Sequence, residues 1–176
     1  MNISVLEPDR SESDALVERL SALINDVYAA SEVGLWRDNA ARTTTAQVAE
    51  LIRSGEIVVA SRDGHIVGSV RLHDIADDVS EFGLLVAAPE ERTGVGRALL
   101  DFVERDGRER GLRAIQLELL SPREWAHPSK EFLREWYGRR GYRVIRTERP
   151  EVRYPQLAAL LATPCDLEIR EKELRG

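Results

Sequence analysis

Between Val79 and Arg110 the chain reads VSEFGLLVAAPEERTGVGRALLDFVERDGRER, an apolar strand run into a glycine-containing loop that opens directly onto an amphipathic helix. Phe82, Leu84, Leu85 and Val86 suit a strand buried on both faces, and Pro89 cannot continue a hydrogen-bond ladder. Val95, Ala98, Leu99, Phe102 and Val103 then fall at i, i+3, i+4, i+7 and i+8, one apolar helix stripe. The join is Arg92-Thr93-Gly94-Val95-Gly96-Arg97. Two glycines there let backbone approach a ligand, and the free N–H groups of a first helical turn favour an anion. Thr93 can cap that turn, while Arg92 and Arg97 add positive charge. The predicted ligand is a phosphate.

This segment resembles the acyl-coenzyme A loop of the GNAT superfamily of N-acyltransferases, written (Arg or Gln)-x-x-Gly-x-(Gly or Ala) after a buried strand. The loop is one residue shorter than the usual form, since Glu91 stands three places before Gly94 and Arg92 only two. The resemblance implies acetyl-CoA as cofactor, with its pyrophosphate at Arg92, Thr93, Gly94, Val95, Gly96 and Arg97. A second signature lies in FLREWYGRRGY, Phe132 to Tyr142, an aromatic-Tyr pair followed by glycine and an aromatic. It puts Tyr137 on the family's general acid, with Lys130 where an asparagine is common.

Composition bounds what such a loop can belong to. At 176 residues and 43% hydrophobic content the chain fills one core, so residues 1–176 are read as one domain. Cys165 is the single cysteine, which leaves no intrachain disulfide. The charged start MNISVLEPDRSESD has no apolar h-region and no apolar run reaches membrane-spanning length, so a cytoplasmic location without membrane partner is expected. A formal net charge of −6 argues against a nucleic-acid partner.

Taken in order, Ile3 to Leu6 reads as a first strand. A helix follows, with Ser11 and Asp14 as a capping box and Leu16, Leu20, Leu23, Ile24 and Val27 on its buried face to about Tyr28. Residues 29–43 have no sustained period and form a loop. Thr44 with Gln47 caps a second helix carrying Val48, Leu51 and Ile52. Ile57 to Ala60, the Asp63-Gly64 turn and Ile66 to Leu72 make a hairpin. Gly111 ends the helix of the opening segment, and Ile115, Leu117 and Leu119 alternate in a fifth strand, parallel to the fourth through a βαβ crossover. Ser129 caps a helix carrying Phe132, Leu133, Trp136 and Tyr137. A sixth strand near Tyr142 to Thr147, a short helix within residues 150–164 and a seventh strand at Leu167 to Arg170 complete the chain.

The fold class is thus α/β, a mixed, mostly antiparallel sheet of about seven strands flanked by about four helices. The resemblance implies that strands four and five splay to admit the pantetheine arm, with Leu84, Leu85, Val86 and Ala87 as its backbone partners. It also implies that residues 29–43 line the acceptor mouth, where Tyr28, Glu32 and Trp36 supply an aromatic wall and charge, with Arg37 beside them. That wall suits cation–π contact with an ammonium, while the residues equally allow Trp36 simply to close the core.

Amine acylation needs a base for an ammonium of pKa about 10, a donor for the oxyanion and a proton for the leaving thiolate. Glu81, where family members often carry a strand-four glutamate, is the candidate base through water, Val86 or Ala87 the N–H donor, and Tyr137 the acid. His65, His73 and His127 are alternative bases by their accessible pKa, though surface positions suit each. No His or Cys spacing suits a metal, and no GxSxG motif signals a nucleophile, so direct transfer in a ternary complex is expected. The leading function is acetyl-CoA-dependent N-acetylation of a primary amine of a small molecule. A catalytically idle acyl-CoA sensor on the same fold and a peptide or protein amine acetyltransferase are the alternatives. An edge strand or the 150–164 insertion allows a homodimer.

Overall fold

The structure is a computed structural model, described here for residues 1–37, 40–88 and 94–175. Arg92 and Thr93, both expected at the phosphate loop, lie outside the described residues. Seven strands form one sheet in the order β1-β2-β3-β4-β5-β7-β6. They are β1 (Asn2–Val5), β2 (Ile57–Arg62), β3 (His65–Ala76), β4 (Val79–Ala87), β5 (Ala114–Pro122), β6 (Arg143–Glu148) and β7 (Cys165–Glu173). Only the β4/β5 pairing is parallel; every other neighbouring pair runs antiparallel. The α-helices among the described residues are α1 (Asp14–Ser31), α2 (Thr45–Arg53), α3 (Val95–Glu109), α4 (Pro128–Arg139) and the single turn α5 (Pro150–Arg153).

Strand alternation decides which helix covers which face. Val58 and Ala60 of β2 point into a core completed by Val95, Leu99 and Val103 of α3 and Tyr137 of α4. Ile57 and Val59 point the other way, against Val17, Leu20 and Ile24 of α1 and Val48 and Ile52 of α2. A third cluster, Leu35, Leu120, Leu161, Cys165, Leu167 and Ile169, sits under the two longest connections. Those connections are stitched together. Trp36 bridges Leu161, the Arg37 N–H donates to Leu160 O at 2.8 Å, and Arg37 Nε donates to Leu161 O at 2.8 Å. Arg37 is therefore a strut between loops.

Local signals were mostly followed, with three differences. α1 starts at Asp14 after the 3₁₀ turn Pro8–Glu12, with Ser13 rather than Ser11 at its N-cap and no side-chain cap bond. Proline at position 8 pre-sets φ for that tighter turn and moves the start of α1 past Ser11. α4 is capped by His127 with Pro128 as its first residue, so Ser129 is already helical. Proline at the first position needs no N–H partner, which favours the earlier start. The insertion holds α5 and the 3₁₀ turn Pro155–Leu157 rather than one helix around Leu157 and Leu161. The Thr44–Gln47 capping box forms in both directions.

α3 lies close enough on β3 to demand glycine beneath it. A Cβ at Gly68 would meet Val95 Cγ1 at 2.6 Å and the Val86 carbonyl oxygen at 2.8 Å. The carbonyl cannot yield without breaking strand geometry, so overpacking is the expected consequence. Gly68→Ala should destabilise the fold by about 1–3 kcal/mol and lower Tm by roughly 2–4 °C per kcal/mol, read by thermal and urea unfolding. An unchanged midpoint would show that α3 can lift off the sheet freely.

Candidate active site

β4 and β5 pair over only four residues, Val79↔Ala114 to Phe82↔Leu117. Beyond that point β4 continues to Ala87 beside β3 and β5 continues to Pro122 beside β7. A bulge marks the parting. Two steps on β3, Ser69 to Arg71, face three on β4, Val86 to Gly83, and Leu84 takes φ 48°. A side chain rarely adopts that left-handed conformation, which bends the strand and re-aims its groups.

The gap opens a cavity of about 140 Å³ that passes through the sheet. Tyr28, Glu32, Trp36, Glu118 and Tyr154 line it on one side, Leu133 and Tyr137 on the other, with Gly83, Leu84 and Leu85 between. Leu85 also borders an open groove of about 550 Å³ with Gly94, Gly96, Arg97, Phe132, Leu133 and Trp136. Gly94 caps α3 at φ 84°, a conformation for which glycine carries no steric penalty. A Cβ on Gly96 would come within 3.6 Å of Leu85 Cδ2, so glycine keeps the groove floor low. A long thioester cofactor fits these features, with an anion at the α3 N-terminus and an extended arm along the exposed edge of β4. Two of the expected contacts could be made only through the backbone. Val95 is buried against Gly68 in the core beneath α3, and Val86 is buried under α1, so neither side chain faces the groove.

Glu81 lies on β4 next to His73 on β3, with His73 Nε2 3.9 Å from Glu81 Oε1. Burial, then the charge of Glu118, pushes the Glu81 carboxyl above its ordinary range. Burial and Arg71 lower His73, so the imidazole is neutral at pH 7 and the contact is not an ion pair. Glu81 Oε2 and His73 Nδ1 are buried without a hydrogen-bond partner. Glu81 does not itself line the cavity. Gly83, two residues on and on the same face, does, and a Cβ there would meet nothing within 4 Å. The missing side chain leaves open space in the cavity wall at Gly83.

Tyr137 is buried against Phe82 and Tyr142, with ring centroids 5.8 Å apart in each case. Burial foremost, and Tyr28 next, raise its hydroxyl well above the usual phenol range, so it stays protonated. Tyr28 is raised for the same first reason, opposed by Arg42. The other histidines have structural partners. His127 Nε2 lies 3.1 Å from Val33 O and its ring stacks on Trp125, while His65 contacts Arg19. Cys165 is buried, donates to Thr163 O, and its thiol is pushed up to about 11 by burial. A thiol so held is a poor nucleophile at neutral pH.

Glu32 reaches the cavity wall but is engaged. One oxygen takes the Lys130 ammonium at 2.5 Å and the other the Trp36 indole N–H at 2.5 Å. Trp36 thus both closes the third cluster and lines the cavity. Its ring and that of Tyr28 carry the Arg42 guanidinium at 5.8 Å and 4.9 Å from their centroids. The aromatic wall expected to meet a substrate ammonium already carries a cation of the protein. Sequence reading missed Arg42, Glu118 and Tyr154. Tyr154 Oη donates to Glu118 Oε2 at 2.8 Å, and Arg153 Nε pairs with Glu118 Oε1 at 2.5 Å. The alternation of β5 marked Glu118 as facing away from Leu117 and Leu119; nothing local marked Arg42.

Solved structures place this architecture. The chain superposes on a ribosomal-protein-alanine N-acetyltransferase from Brucella melitensis with TM-score 0.70 at 17% identity, covering 99% of this chain and 100% of that one. An aminoglycoside 6'-N-acetyltransferase from Enterococcus faecium gives 0.69 at 16%, covering 100% and 98%. Another aminoglycoside 6'-N-acetyltransferase, complexed with coenzyme A, gives 0.69 at 20%, covering 100% and 98%. No curated protein matches by sequence. The fold is that of an acetyltransferase domain. The profile of the acetyltransferase (GNAT) family matches residues 21–146, and the chain belongs to that family. No helix among the described residues is long and apolar enough to cross a membrane, and no cluster among them could hold a metal.

The Glu32–Lys130 pair leaves only 4% and 6% of the two side chains exposed. Removing one partner strands a buried charge. Lys130→Met should cost about 3–5 kcal/mol, and adding Glu32→Gln should recover most of it. Denaturant midpoints of the single and double variants test this. A single variant as stable as the wild type would mean that solvent reaches the pair.

Proposed function

We propose that the chain transfers an acetyl group from acetyl-CoA to a primary amine of a small molecule by direct attack in a ternary complex. The carrying observation is the cavity between the splayed ends of β4 and β5. It shares Leu85 and Leu133 with the groove at the α3 N-terminus and is lined by the protonated Tyr137, while the raised Glu81 carboxyl stands on β4 two residues before Gly83 of its wall. Gly94, Gly96 and Arg97, with Arg92 and Thr93 beyond the described residues, would hold the pyrophosphate. The β4 edge from Leu84 to Ala87 would hold the pantetheine arm. Acetyl-CoA brings the thioester-activated acetyl group; the remaining work falls to the chain.

Glu81 accepts the proton of the incoming ammonium through a water beside Gly83. Its elevated pKa lowers the thermodynamic cost of that transfer. A β4 N–H past the bulge, at Val86 or Ala87, donates to the developing oxyanion. Tyr137 holds the proton required by the departing thiolate, and burial keeps that proton in place across neutral pH. The inert setting of Cys165 supports direct transfer over an acyl-enzyme. The small volume of the cavity supports a small acceptor.

Glu81→Gln should lower kcat/KM by roughly 10²–10⁴-fold, and Tyr137→Phe should lower kcat, both read as thiol release from acetyl-CoA. The pH profile carries a sign. Because the folded-state pKa of Glu81 is raised, its charge costs stability as pH rises from the ordinary carboxylate range, about 4.3, through the raised value. Activity should climb across the same window, and Glu81→Gln should remove that limb while raising stability at neutral pH. Full activity in both variants, with acetyl-CoA still bound, would favour other catalytic groups; binding without turnover by any amine would favour a sensing module.

A further inference from the structure

The cavity through the sheet continues into a second of about 230 Å³, and the two share Tyr28, Glu32, Trp36, Arg42 and Leu157. Their charged linings can be accounted for residue by residue. Glu32 and Lys130 neutralise each other, and Glu118 is paired with Arg153. Asp26 and Arg42 are both exposed at the second cavity and are not within ion-pair distance of each other. Arg42 remains. It has no carboxylate within ion-pair distance among the described residues, and it lines both cavities.

Its guanidinium is held over two aromatic faces, 4.9 Å from the Tyr28 centroid and 5.8 Å from that of Trp36. Stacking fixes a flexible side chain in advance, which lowers the ordering cost of any ligand it meets. The planar donor fork of arginine matches a carboxylate or a phosphate. The same placement disfavours a cation, because the aromatic faces that would greet an ammonium are already occupied by positive charge.

We infer that Arg42 binds an anionic group carried on the same small molecule as the acceptor amine, so that the acceptor is zwitterionic and amino-acid-like rather than a polycation. This rests on the acetyltransfer reading above. The amine points toward Glu81 on the Gly83 side, and the carboxylate or phosphate sits at the other end, in the shared wall of the two cavities.

The test uses matched acceptors at saturating acetyl-CoA: amino acids, their carboxamides, aminoalkyl phosphates of similar length, and polyamines. Acid or phosphate should exceed the amide in kcat/KM by about tenfold to a hundredfold. Arg42→Ala should bring that ratio close to one, chiefly through KM, and Arg42→Lys should keep part of it. The rank of acid against phosphate identifies the anion. Equal rates for acid and amide, or a preference for polyamines, with amine-dependent thiol release intact, would overturn the inference alone. Absence of amine-dependent release from every acceptor would overturn the acetyltransfer reading and this one with it.

Discussion

Everything at this site depends on two strands that pair for four residues and then separate while each keeps a partner on its far side. β5 stays bonded to β7 along its whole length, and β4 returns to register with β3 after the bulge at Leu84. Neither strand is left as a free edge through its full length, so the gap carries less of the penalty that open backbone would impose. The left-handed backbone at Leu84 is the local cost, on the order of 1–2 kcal/mol for a side-chain-bearing residue. It is held there because Leu84 packs beside the cluster under α1.

Packing around the gap sets its chemistry. With α1 and α2 on one face and α3 and α4 on the other, the groups beside the opening are shielded from water. Shielding raises Glu81, Tyr137 and Tyr28 alike, each with burial as the first cause. One environment thereby makes a carboxylate more basic and keeps a phenol protonated, the two opposite tasks that amine acylation asks for. The buried Glu32–Lys130 pair adds no net charge to this cavity, and Asp26 and Arg42 are the other charged residues lining its continuation.

The long connections could not be interpreted from local pattern. Residues 29–43 and 150–164 carry no period because neither buries a regular face; they are ordered by each other, through Trp36 against Leu161 and Arg37 against the Leu160 and Leu161 carbonyls. The helix starts at α1 and α4 were displaced for a related reason. Proline at 8 and at 128 sets where backbone can turn, and that outweighs the nearby Ser11 and Ser129 hydroxyls as start signals. By contrast the Thr44–Gln47 box, the Asp63-Gly64 hairpin turn and Gly111 after α3 act over a few residues, and each occurs where the sequence put it.

By itself the sequence determined the strand–loop–helix unit around Gly94, the parallel β4/β5 pair, the seven-strand α/β architecture and the positions of Glu81 and Tyr137 along it. Those follow from short-range periodicity, turn chemistry and two short motifs, which are legible in one dimension. Tertiary structure alone decided that Glu32 is consumed by Lys130 and Trp36. It also decided that Arg42 covers the aromatic wall. These are contacts between residues far apart in the chain or on unpatterned loops. Their partners are chosen by packing geometry and by the need to pair buried charge, and neither leaves a mark at the residue itself.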